Sequence, residues 1–308
     1  GCAVTERPLK NVAASVRQRL MNSAKASGRP FQEVLQYFAM ERFLYRLSQS
    51  PHAERFILKG ALLFNLWGAP SSRPTRDIDL LGRLHNSVDA LVPVFRDVCQ
   101  IAVEPDGLVF AVETVAGQPF KEDADYSGVR VTFQASLENA RVPMQIDIGF
   151  GDTGVPDAAF ADYPTILDHA QPRLRAYPKE TVVAEKFEAM VKLGQLNSRL
   201  KDFFDLWLLS RQFEFDGRLL SEAIIRTFEN RKTAMSSVPI ALTAAFANDP
   251  IKQTQWKGFA RKSRLEIAPA DFPVVVEALG QFLGPLAAAL VTGQEFALSW
   301  HPSGPWQS

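Results

Sequence analysis

The stretch RFILKGALLFNLWGAPSSRPTRDIDLLG, residues 55–82, reads as strand, turn, helix, strand. A short apolar run meets Lys59-Gly60, a run of helical texture follows, and Asp77-Ile78-Asp79 opens a second strand. Side chains at i and i+2 of a strand share a face, so Asp77 and Asp79 converge while Ile78 points into a core. Two adjacent carboxylates repel unless a cation lies between them. Divalent ions held by such a pair can bridge phosphate oxygens, activate an attacking hydroxyl and stabilise leaving pyrophosphate. Gly60 leaves the backbone clear for a triphosphate, and amides at the start of the following helix would face that anion. Two ions need more oxygen ligands than two side chains supply. Asp147, in Met144-Gln145-Ile146-Asp147-Ile148, is the candidate third carboxylate, because its apolar neighbours leave it in need of a cation or hydrogen bonds. Asp152, in Gly151-Asp152-Thr153-Gly154, is a weaker alternative that reads as a turn.

Outward from this stretch the texture changes twice. Residues 11–49 carry apolar positions at helical spacing, broken at Gly28-Arg29-Pro30, and predict two helices. Residues 55–150 alternate short apolar runs with turn residues and predict a mixed sheet with few helices. Helical periodicity returns after Tyr177-Pro178 and dominates to about residue 291. The expected organisation is a helical extension (1–54), a sheet domain (55–160) and a helical domain (161–308) closing over a nucleotide cleft. The tail HPSGPWQS, 301–308, reads as loose.

Composition bounds the function classes. Lys plus Arg equals Asp plus Glu at 34 each in 308 residues, so net charge argues neither for nor against nucleic acid. Cys2 and Cys99 cannot build a disulfide framework, and with His52, His85, His169 and His301 they show no zinc-ligand spacing. No GxxxxGK[ST] occurs, which argues against a P-loop nucleotide site. Phe272–Val291 is the stretch nearest to a membrane span, but Glu277, Gln281 and Pro285 interrupt it, and it reads as a packed helix pair. The expectation is a cytoplasmic protein with no membrane association.

In the helical half, Val182, Lys186, Ala189 and Leu193 form one stripe, placing a lysine on a partly apolar face where it wants an anion. As an isolated residue it reads as a snorkelling helix lysine in preference to a phosphate ligand, since its stem can cover apolar surface. Lys201 and Asp202 flank the buried stripe of the next helix and could position base, ribose or acceptor, whereas Lys201 and Asp205 at i,i+4 also read as a surface pair. Residues 251–264 hold Lys252, Lys257, Arg261, Lys262 and Arg264 with Trp256 and Phe259 interleaved. Such a strip suits phosphates and stacked bases, or is simply a solvated helix face.

The ordered set ILKGALLFNLW, RPTRDIDLL, MQIDIGFGD, VVAEKFEAMVK and RLKDFFDLWLL resembles the AbiEii/AbiGii family of nucleotidyltransferase toxins, which includes the MenT-type toxins. The resemblance spans about residues 55–232, and TFENRKT at 227–233 is similar to the family's helical domain. It implies an α+β fold with a polymerase-beta-like mixed sheet and a helical C-terminal domain. It also implies Mg²⁺, with two ions expected, an NTP substrate, a cognate antitoxin and an RNA acceptor, for some members the tRNA 3′ end. Carried over by position, the resemblance implies Asp77 and Asp79 as catalytic carboxylates, Lys59 and Lys186 as basic residues on the nucleotide side, and Asp202 as a further acid of the site. Thr75 falls where many members have serine, a nucleotide contact or phosphate acceptor. Ala61 departs from the second glycine usual after Lys-Gly. Competing expectations are phosphoryl transfer to a protein or to Thr75, and a non-catalytic RNA- or partner-binding module.

Overall fold

The computed structural model describes residues 11–69, 72–121, 127–151 and 158–308. The chain forms two compact units, Gly1–Trp67 with Thr75–Ala176, and Gly68–Pro74 with Tyr177–Ser308.

The first unit contains α1 (Val12–Ser27), α2 (Phe31–Gln49), β1 (Phe56–Lys59), α3 (Leu62–Leu66), β2 (Asp77–Gly82) and α4 (Val88–Cys99). It continues with β3 (Leu108–Lys121), β4 (Ser127–Leu137), β5 (Ala140–Gly149), β6 (Ala159–Asp162) and β7 (Arg173–Ala176). The seven strands form one mixed sheet in the order β3-β4-β5-β2-β1-β7-β6, with β2 parallel to β5 and β1 parallel to β7. Period-2 burial is strict in the centre: Ile78, Leu80, Ile146, Ile148, Val129 and Val131 are buried, and Asp77, Asp79, Gln145, Asp147 and Arg130 alternate with them. The apolar face supports α2 and α4, where Phe43 stacks on Phe95 at 5.9 Å and meets Phe133 at 5.1 Å. Sequence texture did not reveal α4. Its Ser87 cap accepts from the Ala90 amide at 3.1 Å, and Leu91, Val94, Phe95 and Val98 form its buried stripe. Pro93 lies inside the helix, sixth of its 12 residues, and has no N–H to donate to the Asp89 carbonyl one turn back.

The second unit contains α5 (Lys179–Leu193), α6 (Leu200–Gln212), β8 (Phe215–Asp216), α7 (Gly217–Arg231) and α8 (Ala244–Ala247). α9 (Pro250–Lys262), α10 (Phe272–Val291), β9 (Ser299–Trp300) and β10 (Trp306–Gln307) complete it. Two expectations are corrected here. Phe272–Val291 is one continuous helix and not a pair; its stripe Phe272, Val275, Val276, Leu279, Phe282, Leu283 and Leu286 is buried against neighbouring helices, with Pro285 inside it. It is long and apolar enough to cross a bilayer, but that stripe is the signature of a core helix. The tail is not loose: β9 and β10 pair antiparallel, and β9 also pairs with β8. Trp300 Nε1 donates to Ser210 O at 2.8 Å and Trp306 Nε1 to Phe282 O at 2.9 Å. Aromatic burial with both indole N–H groups satisfied outweighs a composition rich in turn residues.

Candidate active site

The first cluster is built on the polar face of the central strands. Asp79 is the register partner of Lys59 on β1 and of Asp147 on β5, and Arg130 on β4 is the register partner of Asp147. Asp77 lies two residues along the same face, opposite Gln145. α2 holds the entry of these strands: Gln36 Nε2 donates to Pro143 O at 3.2 Å and to Arg76 O at 3.4 Å, and the Thr75 amide donates to Tyr37 Oη at 3.0 Å. Thr75 is half-buried, with Oγ1 accepting from the Asp77 amide at 3.4 Å.

Gly60 follows β1 with φ +75°, and its Cα faces the Asp79 side chain so closely that any Cβ would collide with that carboxylate. Glycine is therefore demanded twice, by backbone and by space. Ala61 has φ −67° and ψ −25°, ordinary helical values that place no demand for glycine, and its methyl is buried. The departure at position 61 thus carries no backbone strain. α3, with five residues, is a single short turn of helix.

Sequence reasoning missed Arg130. Its Nε and Nη2 bind Asp147 Oδ1 and Oδ2 at 2.7 and 2.8 Å, a bidentate charged pair, and its guanidinium lies 5.2 Å from the Phe120 ring centroid. The hydrogen bonds to Asp147 hold the Arg130 pKa above the usual value, and the charges of Asp77 and Asp79 add to the effect. The signal available was the i, i+2 alternation of GVRVTFQA, which sets Arg130 on the polar face with Thr132 and Gln134. Among the described residues no three His, Cys, Asp or Glu side chains form a ready-made metal cage. Asp77 and Asp79 do fit a hard divalent ion: they are half-buried oxygen donors on one face, beside a glycine cradle. Asp152 lies outside the described residues.

The second cluster lies within the helical unit. Lys186 Nζ on α5 reaches Asp202 Oδ1 at 2.7 Å and Asp205 Oδ2 at 3.1 Å on α6. Arg199 Nε binds Asp202 Oδ2 at 2.6 Å, and Arg73 makes a bidentate pair with Asp205 at 2.9 and 3.0 Å. Burial opposes the Lys186 charge, but Asp202 and Asp205 outweigh it and raise its pKa. Burial likewise pushes Asp202 upward, yet Lys186 and Arg199 hold it down at about 2. Reading Asp205 as half of a surface pair with Lys201 is corrected: Asp205 is 1% exposed and faces Arg73 and Lys186, whereas Lys201 is exposed. A helix has one inward arc, and positions 202 and 205 share it at i,i+3 while 201 falls outside.

The basic strip is also corrected. Lys252 is buried, donating Nζ to Asn197 O, and Trp256 is fully buried with Nε1 on Pro269 O at 2.8 Å. Neither can meet a nucleic acid; Lys257, Arg261, Lys262 and Arg264 remain exposed.

Comparison with known proteins adds an independent line. The sequence profile described as "Nucleotidyl transferase AbiEii toxin, Type IV TA system" matches residues 42–278. Two solved structures from Helicobacter pylori are similar in fold description. One, of a nucleotidyltransferase candidate, has 14% identity and a TM-score of 0.45, covering 94% of this chain and 100% of that one. The other, the protein JHP933, has 14% identity and a TM-score of 0.46, covering 92% of this chain and 95% of that one. No curated protein matches the chain.

Proposed function

We propose that this chain, which belongs to the AbiEii family of nucleotidyl transferase toxins of type IV toxin–antitoxin systems, transfers a nucleotide from an NTP to an RNA acceptor at the face carrying Asp77 and Asp79. The observation that carries the reading is the pair of same-face carboxylates seated against Gly60. Asp77 and Asp79 would hold Mg²⁺, which supplies charge neutralisation at the phosphates and lowers the pKa of a bound hydroxyl. Gly60 keeps Asp79 from being displaced by a side chain and leaves the backbone open to the triphosphate. Lys59, the cross-strand neighbour of Asp79, is positioned to add positive charge on the nucleotide side. Lys186, with Asp202 and Asp205 fixing its Nζ, is the second cation assigned to the phosphates. Thr75, beside Asp77, is assigned a nucleotide contact, and Lys201 an exposed contact to base, ribose or acceptor.

The RNA assignment, with a tRNA 3′ end as the preferred acceptor, draws on the motif resemblance and on the exposed cations Lys257, Arg261, Lys262 and Arg264. The family role supports a cognate antitoxin as partner, and a cytoplasmic setting is part of the same proposal. Incubation with Mg²⁺, each α-³²P-labelled NTP and total tRNA, beside a D77A control, tests the reading. Label on RNA from the unaltered protein alone is the expected result. Label only from γ-³²P-NTP, on protein or on Thr75, would replace it with phosphoryl transfer; no label and no NTP consumption would leave a binding module.

A further inference from the structure

Four charged side chains lie in one row across four neighbouring strands: Lys59, Asp79, Asp147 and Arg130. Asp77, on the same face, is close enough to act on Arg130 electrostatically. Both oxygens of Asp147 are engaged by Arg130, at 2.7 and 2.8 Å. With its amide turned to satisfy both partners, Gln145 Oε1 also accepts from Arg130 Nε and Nη2 at 3.2 Å. The guanidinium is thus fixed by two acceptors on β5 and by the Phe120 ring on β3. It is charged at every accessible pH and matches a carboxylate through two parallel bonds.

We propose that Arg130 is a positioning residue standing where a second divalent ion would otherwise sit, so that Asp147 anchors Arg130 and the site takes a single ion on Asp77 and Asp79. The inference rests on the reading of those two aspartates as metal ligands. Charge balance supports it: three carboxylates against Lys59 and Arg130 leave one net negative charge, which one divalent ion more than neutralises. A second ion on Asp147 would first have to break a bidentate, partly buried ion pair, in which the two side chains are 32% and 12% exposed.

Titration of the full chain with Mn²⁺, followed by calorimetry and electron paramagnetic resonance, tests this without reference to turnover. One Mn²⁺ per chain with an uncoupled six-line spectrum is expected. D79N should lose the ion, D147N should keep it with affinity within about threefold, and R130Q, which frees Asp147, should bind two. Two ions per unaltered chain with spin coupling, as expected for metals roughly 3.5–4 Å apart, would overturn the proposal. Loss of the ion in a folded D147N chain, or a single ion in R130Q, would do the same. If D147N fails to fold, the stoichiometry of the unaltered protein decides alone. No Mn²⁺ binding to the unaltered protein would remove the metal reading of Asp77 and Asp79 itself, and the role of Arg130 with it.

Discussion

The Asp79 side chain fills the space in which a side chain at Gly60 would begin: a Cβ at position 60 would lie 2.7 Å from Asp79 Cβ and Cγ, and nearer still to Oδ2. No real Cβ tolerates such contacts, and Gly60 also sits at φ +75°. G60A is therefore expected to cost about 1–3 kcal/mol from backbone strain alone and to displace the Asp79 carboxylate. Urea denaturation and labelled-NTP transfer read the two effects. A61G should change transfer little and destabilise by no more than about 1 kcal/mol, since residue 61 already has helical dihedrals. A G60A chain with parental stability and activity would show that Asp79 is not held where described.

D77N and D79N keep side-chain volume while removing the charge that a divalent ion needs. Transfer should fall by about 10³-fold or more in each, the scale of several kcal/mol of lost charge stabilisation. Far-ultraviolet circular dichroism should stay parental, because both side chains lie on the polar face and leave the core of Ile78 and Leu80 intact. Parental transfer in either variant would move the chemistry elsewhere.

Asp205 is the acceptor on which Arg73 and Lys186 both converge. D205A should remove the bidentate carboxylate from Arg73 and leave Lys186 on Asp202, at a cost of about 3–5 kcal/mol, the range for breaking a buried pair from one side. K201A removes an exposed side chain and should lie within about 0.5 kcal/mol of the parent. Denaturant midpoints compare them directly, and equal effects would return Asp205 to the surface role that its i,i+4 spacing with Lys201 suggested.

The same cluster sets a pH dependence. Asp202 is held at about 2 in the folded chain, below the unfolded value of about 4, so its stabilising contribution is present above pH 4 and is lost as pH falls toward 2. Lys186 is raised, so its contribution is complete below the ordinary lysine value and is lost as pH climbs through the higher folded value. Stability measured by urea unfolding should decline between pH 4 and pH 2, and D202N should show a shallower decline over that interval. An identical acid slope in D202N would place the titrating group elsewhere.

Some of this architecture was legible before any coordinates. Period-2 alternation is a local property, so DIDLL and MQIDIGF announced both the strands and the side of the sheet on which their carboxylates lie. Helical periodicity announced α5 and α6 and put Lys186 on a face that needed an anion. The break at Gly28-Arg29-Pro30 separated α1 from α2 because glycine and proline act on their own backbone. The order of these short motifs was enough to identify the family.

What lay beyond the sequence were the pairings across strands and between helices. Arg130 meets Asp147 although 17 residues separate them, and Arg73 meets Asp205 across 132. Nothing local encodes such registers; they follow from how sheets and helices pack. Burial also reversed readings that composition favoured. Trp256 and Lys252 turned inward and the tail closed into a hairpin, because satisfying an indole N–H or an ammonium inside an apolar core is decided by which carbonyl packing brings within reach. The sequence alone determined which chemistry was available and on which face of each element it would stand. Only the tertiary structure decided which charges would neutralise one another, because Coulomb and hydrogen-bond energies depend on distances that the chain acquires on folding.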